Sequence, residues 1–148
     1  MIYYFTGQPG SGKTSLSELL INQLSLSRLN DLKIIHIDGD DIRNIFNHMD
    51  YSDEGRKLNV RRVHDIAQFM DAKGYHVILS LVSPFRELRN ELKSKTVVTE
   101  IYVHTTDDRG RNHFHVDSYE QPIENYIDMD TTNQSIIDSF IKLMDKIS

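Results

Sequence analysis

Residues 7–14 of the chain read Gly7-Gln8-Pro9-Gly10-Ser11-Gly12-Lys13-Thr14. They match the phosphate-binding pattern Gly-x-x-x-x-Gly-Lys-Ser/Thr, in which glycines let backbone N–H groups approach a phosphate because no Cβ blocks the way. An apolar strand pattern, Ile2–Thr6, precedes the loop and a helical pattern opens within it, as such loops require. The stretch therefore predicts a binding site for a nucleoside triphosphate, with MgATP the expected donor.

Two side chains of the loop have separate predicted tasks. Lys13 supplies a point charge for the β- and γ-phosphates, and the hydroxyl of Thr14 is placed to bind Mg²⁺. The helix after Gly12 directs its positive end at the same phosphates. We therefore expect every residue of the loop to contribute to ATP binding, and Lys13 to act in catalysis as well.

Apolar runs alternate with helical patterns along the rest of the chain. Strands are predicted at Ile2–Thr6, Lys33–Asp38, Tyr75–Leu81, Thr96–Val103 and Tyr126–Met129. Helices are predicted at Ser11–Ser27, Asp41–Asn47, Ser52–Lys73, Pro84–Leu92 and Asn133–Ile147. This alternation predicts a five-stranded parallel sheet sandwiched between helices, and with the phosphate loop it predicts an α/β fold of the P-loop nucleoside triphosphate hydrolase/kinase type.

Composition and charge narrow the classes of partner. The 148 residues fit one compact P-loop kinase domain over residues 1–148, and the net charge of −5 argues against a duplex nucleic acid or membrane surface as partner. The chain has no cysteine, which excludes disulfides and thiolate chemistry. No basic leader precedes the first strand and no apolar run approaches the roughly 20 residues that cross a bilayer, so we expect a cytoplasmic location.

Two carboxylates follow the second predicted strand. Asp38 ends that strand and is predicted to bind Mg²⁺, directly or through water. Asp40 lies further out and is placed to accept the proton of an attacking hydroxyl. The alternative is that Asp40 or Asp41 only caps the short helix that follows.

Basic and amide side chains follow at helical spacing. Arg43 comes one turn after Asp40, and Arg56 and Asn59 share a face of the long helix because they are three positions apart. Arg56 lies in line with the apolar stripe of that helix, which predicts that its side chain faces a cleft. The alternative is a long side chain that reaches out to water.

Four further blocks, read with the phosphate loop, resemble the adenylylsulfate kinase (APS kinase) family. They are Asp38-Gly39-Asp40-Asp41-Ile42-Arg43, the segment 51–62 with Tyr51, Arg56 and Asn59, Ser83-Pro84-Phe85-Arg86, and the segment 114–122 from Phe114 to Pro122. The resemblance runs over nearly the whole chain. It implies transfer of a phosphoryl group from ATP to the ribose 3′-hydroxyl of adenosine 5′-phosphosulfate, which gives 3′-phosphoadenylyl sulfate and ADP.

The resemblance also implies roles on the acceptor side. Arg43, Arg56 and Asn59 would hold the phosphosulfate and ribose, and Tyr51 and Phe114 would sandwich the adenine.

Two more roles follow near the reacting atoms. Asp40 would engage the 3′-hydroxyl. Ser83, next to Pro84, matches a family serine once proposed as a phosphorylated intermediate. Because P-loop kinases usually transfer the phosphoryl group directly, we expect Ser83 to hydrogen-bond the substrate instead.

The segment 104–122 departs from the family pattern. The family has a longer lid that contains Arg-Asp-x-Lys-Gly-Leu-Tyr, and the Lys-Gly-Leu-Tyr portion is missing here. Arg109 and Arg111 remain to cover the transferring phosphoryl group, and Arg109 is the predicted catalytic cation. His113 and His115 lack the neighbouring ligands of a metal site, so we interpret this segment as an acceptor-side loop.

The shortened lid leaves alternatives open. The chain could be a slower or minimal enzyme, or a kinase of the same build that acts on a different nucleotide or small hydroxyl acceptor. A non-catalytic nucleotide-binding relative is a third reading, although the retained Lys13, Thr14, Asp38 and Asp40 argue against it. A homodimer is compatible with the sequence, which does not determine the oligomeric state.

Overall fold

A parallel β-sheet forms the centre of the computed structural model, which describes residues 1–26 and 31–148. Within these ranges the sheet has five strands in the order β2-β3-β1-β4-β5, and each neighbouring pair is parallel. The strands are β1 Ile2–Thr6, β2 Lys33–Asp38, β3 Tyr75–Leu81, β4 Val98–His104 and β5 Ile127–Asp130. The predicted α/β fold with a five-stranded parallel sheet is confirmed.

Helices cover both faces of the sheet. They are α1 Lys13–Leu26, α2 Gly39–Ile45, α3 Asp53–Ala72, α4 Arg86–Lys95 and α5 Ile136–Ile147, with a short 3₁₀ turn at Asn112–Phe114. One core packs Tyr4 and Leu79 against α2, α3 and α4, and the other packs Phe5 and Ile78 against α1 and α5. Adjacent strand residues thus point to opposite faces, as the alternation of a strand requires.

Several element ends differ from the predicted bounds. Helix α2 begins at Gly39 because the Asp38 side chain caps it by accepting from the Asp40 N–H at 2.9 Å. The alternative that Asp40 or Asp41 caps this helix was therefore wrong. Helix α4 begins at Arg86, not at Pro84, since Ser83 has a left-handed backbone with φ of 44° and Phe85 is extended.

The remaining helix ends shift by a few residues. Helix α1 begins at Lys13, and its predicted end at Ser27 lies outside the described residues. Ser135 caps α5 by accepting from the Asp138 N–H, so that helix starts after the predicted Asn133. No helix in residues 1–26 and 31–148 has the length and apolarity needed to cross a membrane.

Candidate active site

A cleft of about 760 Å³ opens at the carboxyl edge of the sheet. The phosphate loop, the start of α2, the first turns of α3, the β3–α4 turn and the segment 104–122 line it. The predicted site residues on its wall are Pro9, Gly10, Gly12, Lys13, Thr14, Asp38, Asp40, Arg43, Tyr51, Arg56, Asn59, Ser83, Pro84, Arg109 and Phe114. The other predicted residues, Gly7, Gln8 and Ser11, belong to the loop but do not line the cleft.

The phosphate loop has the backbone that an anion cradle needs. Gly12 has a φ of 109°, which a side chain would strain, and Gly7 packs so tightly that a Cβ there would lie 2.1 Å from the carbonyl oxygen of Val103. The Ser11 hydroxyl is buried without a hydrogen-bond partner among the described residues. A glycine-rich backbone of this kind, followed directly by the N-terminus of α1, suits the phosphates of a nucleotide.

Lys13 reaches from α1 into this concavity. Its Nζ donates to the carbonyl oxygen of Gln8 at 2.9 Å. Burial lowers the pKa of Lys13 to about 8, although the nearby Asp38 carboxylate acts in the opposite direction. A phosphate beside Nζ would favour the charged form, so the site suits an anionic ligand.

The donor atoms for a magnesium ion lie on two elements. Asp38 lines the cleft with one carboxylate oxygen held by the Asp40 N–H, and Thr14 lines it from the first turn of α1. These are oxygen ligands of the kind that Mg²⁺ prefers. Among the described residues no cluster of three or more His, Cys, Asp or Glu could hold a metal by itself. The two side chains therefore fit an ion that takes its other ligands from phosphates and water.

Aromatic and basic side chains line the opposite end of the cleft. The Arg43 guanidinium stacks on the ring of Tyr51, with Cζ 4.5 Å from the ring centroid. Asn59 is 4% exposed and its Nδ2 donates to the Gly39 carbonyl at 3.4 Å, while its Oδ1 has no partner among the described residues. Arg56 lines the same wall, as its place on the α3 stripe predicted. This end can bind a polar, anionic ligand with a flat ring.

Arg109 makes its contacts with the back of the phosphate loop. Its Nη1 donates to the carbonyl oxygens of Gly10 and Ser11, both at 3.1 Å, and its Nη2 donates to the Thr131 carbonyl at 2.9 Å. These bonds connect the segment 104–122 to the phosphate loop. The positive charge of the guanidinium thus lies beside the phosphate site.

Arg111 is the second cation that the segment 104–122 brings to the cleft. Its charge contributes to the lowered pKa of Lys13, and its guanidinium lies 5.0 Å from the Phe114 ring centroid. Sequence reasoning noted Arg111 as a remaining cation but did not place it among the site residues. In the sequence, the only indication that Arg111 belongs to the site was its position two residues after Arg109.

Ser83 lies at the floor of the cleft and is held from two sides. Its carbonyl oxygen accepts from Nη1 of the buried Arg89, and its hydroxyl oxygen lies 2.7 Å from the Tyr4 hydroxyl oxygen. Arg89 in turn pairs with the buried Glu100, with Nε 2.9 Å from Oε2. Sequence reasoning missed Tyr4 and Arg89, because each lies within an ordinary strand or helix pattern.

The fold and the cleft define a P-loop kinase: a phosphate loop between β1 and α1, a loop lysine and carboxylates at the carboxyl edge of a parallel sheet. The family model described as adenylylsulphate kinase matches residues 1–128. The chain is 31% identical to the adenylyl-sulfate kinase of Oceanobacillus iheyensis in an alignment that covers 93% of this chain and 79% of the relative. The chain therefore belongs to the adenylylsulphate kinase family.

Other relatives and a solved structure are also similar to this chain. The cytidine diphosphoramidate kinase of Campylobacter jejuni is 29% identical over 87% of this chain and 77% of the relative. Adenylyl-sulfate kinases of Burkholderia ambifaria and Bacillus velezensis are 36% identical, but the matches span only about half of those proteins. The solved APS kinase of Mycobacterium tuberculosis, in complex with AMPPNP and APS, superposes with a TM-score of 0.81 at 22% identity, covering 99% of this chain and 96% of that one.

Proposed function

We propose that the protein transfers the γ-phosphoryl group of MgATP to the ribose 3′-hydroxyl of adenosine 5′-phosphosulfate, giving ADP and 3′-phosphoadenylyl sulfate. One observation carries the proposal: a single cleft joins the phosphate loop to a second end lined by Arg43, Tyr51, Arg56, Asn59 and Phe114. A site that bound only ATP would need none of these five side chains. Their chemistry, with guanidinium groups beside aromatic rings, suits an anionic nucleotide.

On the donor side, the phosphate loop would hold the triphosphate. Lys13 would contact the β- and γ-phosphates, and Arg109 and Arg111 would add positive charge from the shortened lid. Mg²⁺ held by Thr14 and Asp38 would supply further neutralisation of the phosphate charge. The cations at this end support the proposal, because negative charge spreads over the γ-phosphoryl oxygens during transfer.

On the acceptor side, Asp40 would take the proton of the attacking hydroxyl. The bond from the ribose oxygen to the γ-phosphorus forms as the bond from that phosphorus to the β–γ bridging oxygen breaks, and ADP leaves with the electron pair. Ser83 and Pro84 would border the acceptor from the floor of the cleft. Tyr51 and Phe114, both more than half exposed, would hold the adenine.

A second candidate keeps this chemistry and changes the acceptor. The shortened lid and the similarity to a cytidine diphosphoramidate kinase favour a kinase that acts on another nucleotide. Such a protein would use the same donor site. Its acceptor would differ at the base or at the group attached to the 5′-phosphate.

An acceptor panel tests both candidates. Purified protein is incubated with MgATP and either adenylyl sulfate, a cytidine nucleotide or no acceptor, and ADP release is measured. We expect release that depends on adenylyl sulfate and is lost in Lys13→Met. Release with the cytidine nucleotide alone would replace the first candidate with the second. ATP binding without release on any acceptor would reject both in favour of a nucleotide-binding protein.

A further inference from the structure

A line of three buried polar groups runs from the floor of the cleft into the core. The Ser83 hydroxyl lies 2.7 Å from the Tyr4 hydroxyl, which lies 2.6 Å from Nε2 of His64. The exposed fractions are 2% for Ser83, 1% for Tyr4 and 7% for His64. Tyr4 comes from β1 and His64 from the middle of α3, so two separate elements converge behind one serine.

The hydrogens of this line can be arranged in two ways, because a hydroxyl carries only one. In the first, His64 Nε2–H donates to Tyr4, Tyr4 donates to Ser83, and the Ser83 hydrogen is left for a group in the cleft. In the second, Ser83 donates to Tyr4 and Tyr4 donates to an unprotonated Nε2. The Ser83 oxygen could then only accept from a ligand.

The protonation states keep the line neutral. Burial lowers the pKa of His64 to about 3, helped by the charges of Arg89 and Lys95, so its ring carries one hydrogen at neutral pH. Burial also raises the pKa of the Tyr4 hydroxyl, which therefore keeps its hydrogen. The choice between the two arrangements then depends on what the cleft presents to Ser83.

The cleft selects the first arrangement. Lys13, Arg43, Arg56 and Arg111 line the same cleft as Ser83, and such a set of cations gathers anionic oxygens. An anionic oxygen beside Ser83 accepts hydrogen bonds and offers none, so the serine has to donate. Arg89 donates to the Ser83 carbonyl oxygen and so holds the Ser83 backbone in place. The direction in which the Ser83 O–H bond points is what remains to be set.

We propose that Tyr4 and His64 are positioning residues: His64 in its Nε2–H form donates to Tyr4, and Tyr4 donates to Ser83, so that the Ser83 hydroxyl is committed as a donor to the acceptor nucleotide. The proposal rests on the proposed function only in placing an acceptor nucleotide in the cleft. Neither residue lines the cleft itself, so both act through Ser83.

A double-mutant cycle tests the kinetic part. We expect Tyr4→Phe to lower kcat/KM for the acceptor about tenfold, because Ser83 is no longer held as a hydrogen-bond donor to the acceptor, and to leave the KM for ATP unchanged. In a Ser83→Ala background the same change should have no further effect, because the group through which Tyr4 acts is gone. Losses that multiply across the two sites would overturn the proposal, since a merely structural Tyr4 would act independently of Ser83.

Two substitutions of His64 separate donation from packing. His64→Gln places an amide N–H near the Nε2 position and should keep most of the acceptor kcat/KM. His64→Leu keeps the bulk without a donor and should match Tyr4→Phe. Equal activity in the two variants would contradict the assigned role.

The tautomer of the His64 ring can be measured without any catalytic reaction. Long-range ¹⁵N–¹H correlation spectra distinguish Nε2–H from Nδ1–H histidine, and His64 is assigned among the seven histidines by comparison with His64→Gln and with Tyr4→Phe. With adenylyl sulfate bound in the cleft and ATP absent, we expect the Nε2–H form, and the Nδ1–H form would overturn the proposal. Nε2–H without phosphorylation of adenylyl sulfate would mean that the proposed function has failed while the hydrogen-bond line stands.

Discussion

The side chain of Gln8 pairs with the backbone of Val116 through two hydrogen bonds. The Gln8 Nε2 donates to the Val116 carbonyl at 2.8 Å, and the Val116 N–H donates to Oε1 at 2.9 Å. The phosphate loop is thereby joined to the segment that carries Phe114, two residues earlier in the chain. Since Lys13 also donates to the Gln8 carbonyl, Gln8 links two residues that line the cleft, Lys13 and Val116.

Removing this pairing should weaken acceptor binding. We expect Gln8→Ala to raise the KM for the acceptor by up to about 30-fold, because two hydrogen bonds of roughly 1 kcal/mol each are lost. Gln8→Glu should be worse, since a carboxylate cannot donate to the Val116 carbonyl. Steady-state kinetics with Gln23→Ala, an exposed glutamine of α1, as control checks this. An unchanged KM for the acceptor in Gln8→Ala would show that the Gln8–Val116 hydrogen bonds do not affect acceptor binding.

Adjacent carboxylates provide a matched test of the proton acceptor. Asp40 lines the cleft, while its neighbour Asp41 is exposed on the same first turn of α2 and does not. We expect Asp40→Asn to lower kcat about 100-fold or more, in the range of general-base catalysis, and Asp41→Asn to leave it nearly unchanged. Rates are measured with both substrates saturating. Equal effects of the two changes would point to helix stability as their cause.

The lowered pKa of Lys13 predicts proton uptake when ATP binds. The amine is partly neutral above its pKa of about 8, and phosphates that contact it restore the charged form. At pH 8.5 we expect MgATP binding to take up a fraction of a proton, measured by calorimetry in two buffers of different ionisation enthalpy. Lys13→Met should abolish the uptake and Lys33→Met, an exposed lysine of β2, should not.

The lowered pKa of Lys13 also makes the free energy of unfolding depend on pH. Because the pKa of Lys13 falls from 10.5 to about 8 on folding, the unfolded chain binds more protons between these values. The contribution of Lys13 to the free energy of unfolding therefore rises with pH in that window, and its unfavourable burial is fully present below about pH 8. Lys13→Met should flatten this rise in denaturation curves between pH 8 and 10. A rise that persists in Lys13→Met would assign it to another group.

The buried pair of Arg89 and Glu100 should dominate local stability. Both side chains are 1% exposed, and among the described residues Arg89→Met would leave Lys93, 2.9 Å away, as the one cation paired with the interior Glu100 charge. We expect a loss of about 3 kcal/mol in the free energy of unfolding. Lys95→Met, which breaks an exposed pair with Glu91, should cost less than about 1 kcal/mol. Chemical denaturation of both variants measures the difference.

Local patterns determined much of this protein from the sequence alone. The bounds of β1, β2 and β3 were predicted residue for residue, because a short apolar run between turn residues is a property of a few neighbours. The phosphate loop was equally readable, since its glycines and Lys13 act within one stretch of chain. Ser52, which accepts from the Gly55 N–H, confirmed the predicted start of α3 within one residue.

Only the tertiary structure decided what distant segments do to one another. Asp38 became the cap of α2, Arg109 turned to the loop carbonyls, and Ser83 took a left-handed backbone that the β3–α4 turn imposes. Tyr4 and His64 are 60 positions apart, and nothing local to either residue marks the hydrogen bond between them. Such contacts depend on the order in which parallel strands assemble, and strand order leaves no periodic trace in the residues of a single strand.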